Sequence, residues 1–208
     1  MNGYLDHLTQ TLKGHANADI ANQQRAYLRN QFEHFGIKSP VRREITKPLI
    51  TKELLPEKEA VPEIIMALWD LPQREYQMFG LDLSAKFIKR LEAQDIFWME
   101  YMITHKSWWG TVDFVAVNLV GNYFKSFPNS IQPRIKEWVE SDNLWLQRTA
   151  LLFQLKWKEA VNRDLLTERL SVSWMAARQD GESWMAARQD GESCLGLICH
   201  RKCGSEGM

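Results

Sequence analysis

Cysteine is missing from the first 193 residues, and the chain's three cysteines all fall between positions 194 and 203. The body therefore carries no thiolate for metal or redox chemistry. Long apolar runs are missing too. Nothing approaches the ~18 residues that a membrane-spanning helix needs, so no membrane partner is expected. The opening Met-Asn-Gly-Tyr-Leu-Asp-His has no basic segment followed by an apolar one, which predicts no secretory signal and a cytoplasmic protein. Excess charge of either sign is absent, with 26 Lys and Arg against 26 Asp and Glu. Overall basicity, the simplest footprint of a nucleic-acid binder, is thereby removed, and only a local patch can serve phosphate. The first quarter holds one such patch, Arg25, Arg29, Lys38, Arg42, Arg43 and Lys47, ahead of acidic Glu53, Glu57, Glu59 and Glu63. Ordinary solvated helix faces are the alternative explanation.

What is present points to a folded helical protein. Nine tryptophans and 45% apolar content exclude a disordered chain, and 208 residues supply one substantial core or one elongated stack of repeats. No strand-like alternation competes with helical periodicity. Helices are expected over roughly 3–13, 18–34, 40–54, 58–70, 73–91, 94–105, 109–126, 129–141, 143–158 and 162–170, punctuated by Gly36, Pro40, Pro56, Pro72, Gly110 and Pro128. Short loops between them predict antiparallel pairs that recur about every 35 to 40 residues. The stretches from Leu68 to Gln77 and from Ser141 to Ala150 are both polar turns leading into a helix with an early arginine. This is the pattern of HEAT-type repeats, in which each pair buries its faces against its neighbours, and it predicts an all-α fold of HEAT-like helical repeats forming a curved α-solenoid.

Two segments carry chemistry. Ser107-Trp108-Trp109-Gly110-Thr111-Val112-Asp113 is followed about 35 residues later by Trp145-Leu146-Gln147-Arg148. With Ser107 as a cap, Trp109 and Asp113 stand at i and i+4 on one helix face, a flat aromatic wall beside a carboxylate. Placed in the first turn, Asp113 is expected to be a permanent anion, favoured by the helix dipole and by any arginine in reach. Such an anion is a poor general acid but stabilises a developing cation or orients an attacking water, as the oxocarbenium-like sugar of N-glycosidic cleavage requires. On a helical wheel Arg148 falls among Leu144, Leu151, Leu152 and Leu155, inside an apolar stripe, where an arginine calls for an anionic partner. Leu146, Ala150, Phe153 and Trp157 form a second apolar side of the same helix. A purely structural Asp113–Arg148 ion pair is the competing explanation.

The segments Tyr27 to Phe32, Phe35 to Arg43, Leu68 to Gln77, Lys106 to Asp113 and Ser141 to Lys156 together resemble the AlkD-like DNA alkylation repair enzymes. These are HEAT-like repeat DNA glycosylases that remove positively charged N3- and N7-alkylated purines. The resemblance covers about residues 1 to 167, in order and with few gaps. It implies a DNA glycosylase acting on duplex DNA, with the catalytic set Asp113, Trp109 and Arg148. Asp113 corresponds to the carboxylate that stabilises the sugar cation and positions water. Trp109 corresponds to an aromatic against the lesion's sugar and backbone, and Arg148 to a contact on the aspartate and phosphate. Tyr27, Lys38, Lys106 and Trp108 form the implied DNA-facing set, Lys38 standing where relatives carry a neutral polar residue. The family works from the backbone side without drawing the base into a deep pocket. It implies no cofactor and a monomer. The reading from a different class is a non-catalytic helical-repeat scaffold that binds DNA or a protein partner along its concave face.

The resemblance stops near Leu170. There the chain reads Ser-Trp-Met-Ala-Ala-Arg-Gln-Asp-Gly-Glu twice in tandem, residues 173–182 and 183–192, where the family continues with a further repeat. A perfect ten-residue duplication is too short for each copy to pack as a repeat. The expected organisation is a glycosylase domain over 1–170 and an aberrant, poorly ordered tail over 171–208. Trp174 and Trp184 take no role from the family. Cys194, Cys199, His200 and Cys203 lack the paired spacings of closed zinc sites, so no metal is expected.

Overall fold

Periodic burial along the chain becomes a series of short helices in the computed structural model, which describes residues 2–163. Helix α1 spans Asn2–Lys13 and buries Leu8 and Leu12, one helical turn apart. Asn17 caps α2, Ala18–Tyr27, its side chain accepting from Ile20 N–H. Pro40 sits in the first turn of α3, Ser39–Thr46, where its missing N–H is harmless, and Pro62 does the same for α4, Val61–Asp70. Then come α5, Arg74–Ala85, and α6, Ile96–Thr104. Helix α7, Trp109–Phe114, runs through a π turn, Val115–Val120, into α8, Gly121–Ser126. Helices α9, Ile131–Glu140, and α10, Leu144–Leu152, complete the described part.

Packing follows a two-layer logic. Helix α4 packs on α5, α6 on α7, and α9 on α10, while α3, α5, α7 and α10 touch in that order to form one layer. The repeat is written into its polar contacts, because residues roughly one repeat apart bond each other. Arg42 meets Asp82, Arg74 meets Thr111, and Arg148 meets Asp113, at separations of 40, 37 and 35 residues. In the other layer Trp69 Nε1 donates to the Met102 and His105 carbonyls, and Trp138 Nε1 to Glu100. Tryptophan is useful here because a large apolar body ends in one donor that ties adjacent repeats. The described residues are all-α, with one isolated parallel bridge, Glu33 to Gln73.

Three expectations are corrected. The helix expected over 18–34 stops at Tyr27, because Arg29 and Asn30 adopt φ of 55° and 60°. The loop that follows is organised by Glu75, whose buried carboxylate accepts from the N–H groups of Phe35, Gly36 and Ile37 at 3.0, 3.0 and 3.2 Å. Gly36 is required there, since at φ 85° a Cβ would stand 2.0 Å from the Asn17 carbonyl oxygen. Gly110, expected as a breaker, lies inside α7 instead, with nothing within 4 Å of where a Cβ would be. The α-helix expected over 143–158 ends at Leu152. The tandem duplication, the tail's order and its cysteines lie outside the described residues.

Candidate active site on α7 and α10

Ser107 does not cap α7. Its hydroxyl donates back to the Ile103 carbonyl at 2.5 Å, and Trp108, in extended conformation, holds the N-cap position with no side-chain bond. The helix starts at Trp109, so Asp113 is its fifth residue, just past the first turn in which it was expected. What holds the carboxylate is Arg148. Its Nε donates to Oδ1 at 2.6 Å and its Nη2 to Oδ2 at 2.8 Å, the bidentate fork that guanidinium geometry favours. The guanidinium also lies over the Trp109 ring, 4.3 Å from its centroid, while Trp145 packs edge-on to Trp109 at 5.1 Å. Asn143 sets this approach by capping α10, its Oδ1 accepting from Trp145 and Leu146 N–H.

Exposure separates the two partners. The Asp113 side chain is 41% exposed and that of Arg148 14%. Leu144 and Leu155, expected to bury Arg148 in an apolar stripe, are themselves exposed, and Leu152 alone of the stripe is buried. Arg148 therefore lies mostly covered at the margin of the buried side of α10, and its carboxylate partner is partly accessible. Thr149, Ala150 and Phe153 face the core. One expectation shifts accordingly: the flat wall of Trp109 already carries a cation on one face.

Of the expected DNA-facing residues, Tyr27 is 85% exposed at the end of α2, and Lys38 is exposed at the N-cap of α3. Tyr27 lines a cavity of about 400 Å³ together with Gln24, His34, Arg42, Arg74 and Glu75. Lys106 and Trp108 stand elsewhere. The Lys106 ammonium donates to the Asp70 and Leu71 carbonyls at the end of α4, and the backbone there is left-handed, φ 46°. Burial lowers its pKa and the Arg74 charge adds to this, against Asp70 and Glu33. Trp108 packs edge-on to Phe32, 5.9 Å away. Within the basic patch, Arg42 is buried and bonded to Asp82 at 2.7 Å, so it offers no free charge. Among the described residues no three His, Cys, Asp or Glu side chains gather as a metal site, and no helix is long and apolar enough to cross a membrane.

Sequence reasoning noted Arg74 only as part of a repeated turn. In the structure it lies against the start of α7. Nη1 donates to the Lys106 carbonyl at 2.9 Å, Nη2 to Thr111 Oγ1 at 2.8 Å, and the guanidinium covers Phe32 at 4.2 Å. Burial among neutral acceptors pushes its pKa down to about 10. The signal was available, because Gln73-Arg74 repeats the Gln147-Arg148 step.

A layered all-α stack with a carboxylate, an arginine and an indole gathered on one open face defines a HEAT-like helical-repeat protein with a polar site. The chain belongs to the DNA alkylation repair enzyme family, whose model matches residues 8–180. That match passes the expected boundary at 170 and reaches into the first duplicated segment. A solved structure titled "Predicted DNA alkylation repair enzyme from Enterococcus faecalis" is similar in fold, with a TM-score of 0.70 and 22% identity over 92% of this chain and 98% of that one. No curated protein matches the chain.

Proposed function

We propose that this protein is a DNA glycosylase of base excision repair that hydrolyses the N-glycosidic bond of positively charged N3- and N7-alkylated purines in duplex DNA. It acts as a cytoplasmic monomer without a cofactor, through residues of the 1–170 domain. The observation that carries the reading is the accessible Asp113 carboxylate, fixed bidentately by Arg148 beside Trp109. As the C1′–N bond breaks, its electron pair neutralises the cationic base, so the leaving group needs no proton. Positive charge moves to the sugar, where Asp113 stabilises it and orients the incoming water. At about 4 Å and an effective dielectric constant near 20, this attraction is roughly 4 kcal/mol, or about three decades in rate. Arg148 opposes part of that field and in exchange holds the aim of the carboxylate. Tyr27 and Lys38 serve as outlying contacts to the duplex, and Lys106 and Trp108 support it from the start of α7.

Release of 7-methylguanine from methylated duplex DNA tests this. Asp113→Asn is expected to lower the release rate by about 10²- to 10³-fold. Equal release by both proteins would dismiss the carboxylate role. The bidentate closure of the ion pair supports a second reading, a non-catalytic DNA-binding scaffold. Binding that falls steeply with salt, with no base released by the unmutated protein, would favour it.

A further inference from the structure

Helix α7 is moored by side chains of its neighbours. It has six residues before the π turn, and no side chain caps its N-terminus. An uncapped start leaves unsatisfied N–H groups and is free to fray or rotate unless something else holds it. Two arginines grip it from opposite neighbours, Arg148 of α10 on Asp113 and Arg74 of α5 on Thr111. Thr111 is fully buried, whereas the Asp113 side chain is 41% exposed, as expected for residues two positions and therefore about 200° apart on a helix.

We propose that Arg74 and Thr111 are positioning residues that fix the rotation of α7 about its axis and thereby aim the Asp113 carboxylate. The inference rests on the glycosylase reading for its effect on rate. Thr111 Oγ1 accepts from Arg74 Nη2 at 2.8 Å and donates to the Trp108 carbonyl at 3.0 Å, so a single hydroxyl joins the brace to the helix N-cap. Arg74 Nη1 holds the Lys106 carbonyl, fixing the left-handed residue through which the chain turns into α7. Phe32 closes the arrangement, with Arg74 over its face and Trp108 against it edge-on. Side-chain atoms lie roughly 5 Å from a helix axis, so a 20° turn of α7 displaces the carboxylate by about 2 Å. A misplacement of that size is large on the scale that catalysis tolerates.

Arg74→Ala risks unfolding the protein, so the decisive variant is Thr111→Val, which keeps the shape and removes the hydroxyl. Single-turnover release of 7-methylguanine is expected to slow by about tenfold or more, with DNA affinity changed less than about twofold, and Thr111→Ser to recover most of the rate. Amide hydrogen exchange, which needs no substrate, is expected to quicken over residues 109–113 and not in α9. An unchanged rate in Thr111→Val overturns the proposal. So does faster exchange in α7 and α9 alike, which marks a general structural role. If the unmutated protein releases no base while exchange still quickens in α7 alone, the glycosylase reading fails and the brace stands.

Discussion

Arg74 and Arg148 make the same three-part contact with opposite outcomes. Each follows a glutamine, each lays its guanidinium on a ring, at 4.2 Å over Phe32 and 4.3 Å over Trp109, and each reaches into α7. Arg74 is 2% exposed, meets only neutral acceptors, and leaves its Nε buried without a hydrogen-bond partner. Arg148 meets a carboxylate that is partly open to solvent. A buried cation on neutral oxygens spends its hydrogen bonds on rigidity and offers a ligand nothing. A half-exposed pair keeps an anion where a ligand can reach it, in a dielectric low enough for its field to matter. One motif, repeated, yields a brace in one repeat and a candidate site two repeats further on, and the partner residue decides which.

Truncating each arginine separates the two. Arg148→Ala is expected to slow base release by about 10²-fold, since Asp113 loses its aim, while unfolding stability falls by about 1 to 2 kcal/mol. Arg74→Ala is expected to lower stability by about 3 kcal/mol, because it empties a buried site and strips partners from Thr111 and the Lys106 carbonyl. Urea unfolding beside the release assay checks both. Equal destabilisation by the two variants would break the comparison.

A smaller effect is expected where α8 meets the end of α10. A Cβ on Gly121 would stand 2.5 Å from the Phe153 carbonyl oxygen, and backbone cannot swing aside as a side chain does. Gly121→Ala is expected to cost about 2 kcal/mol and to lower the melting temperature by roughly 4 to 8 °C. An unchanged melting temperature would mean that the α8–α10 contact is soft, and that Arg148 is not held by a rigid neighbour.

Sequence revealed the all-helical repeat, because periodicity and spacing survive in any stack of paired helices, and contacts one repeat apart reproduce that spacing. It also singled out Trp109, Asp113 and Arg148, which the fold brings together. It failed where long-range partners override local signals. Ser107 reads as a cap, yet the Ile103 carbonyl takes its hydroxyl. The helix through Tyr27 reads as continuing, yet Glu75, 40 residues from Phe35, organises a loop in its place. Arg148 is legible as a mostly covered arginine in need of an anion, although two leucines of its wheel stripe, Leu144 and Leu155, are exposed.

The smallest effect concerns His34, which lines the cavity beside Arg74 and Glu75. Burial lowers its pKa below 6.5, with the Arg74 and Arg25 charges acting in the same direction and the Glu75 carboxylate and the Phe32 carbonyl bond opposing. Between the folded value and 6.5 the unfolded chain binds more protons than the folded one, so stability rises with pH across that window. Acidification through 6.5 therefore removes stability, and the loss is complete once the folded value is passed. Glu100, its pKa raised by burial, contributes with the opposite sign. The clean measurement is thus the difference between the unmutated protein and His34→Gln from pH 7.5 to 5. The unmutated protein is expected to lose more stability on acidification. Parallel curves would mean that the imidazole is as well solvated as in the unfolded chain, and that the Arg74 brace is not sealed on the His34 side.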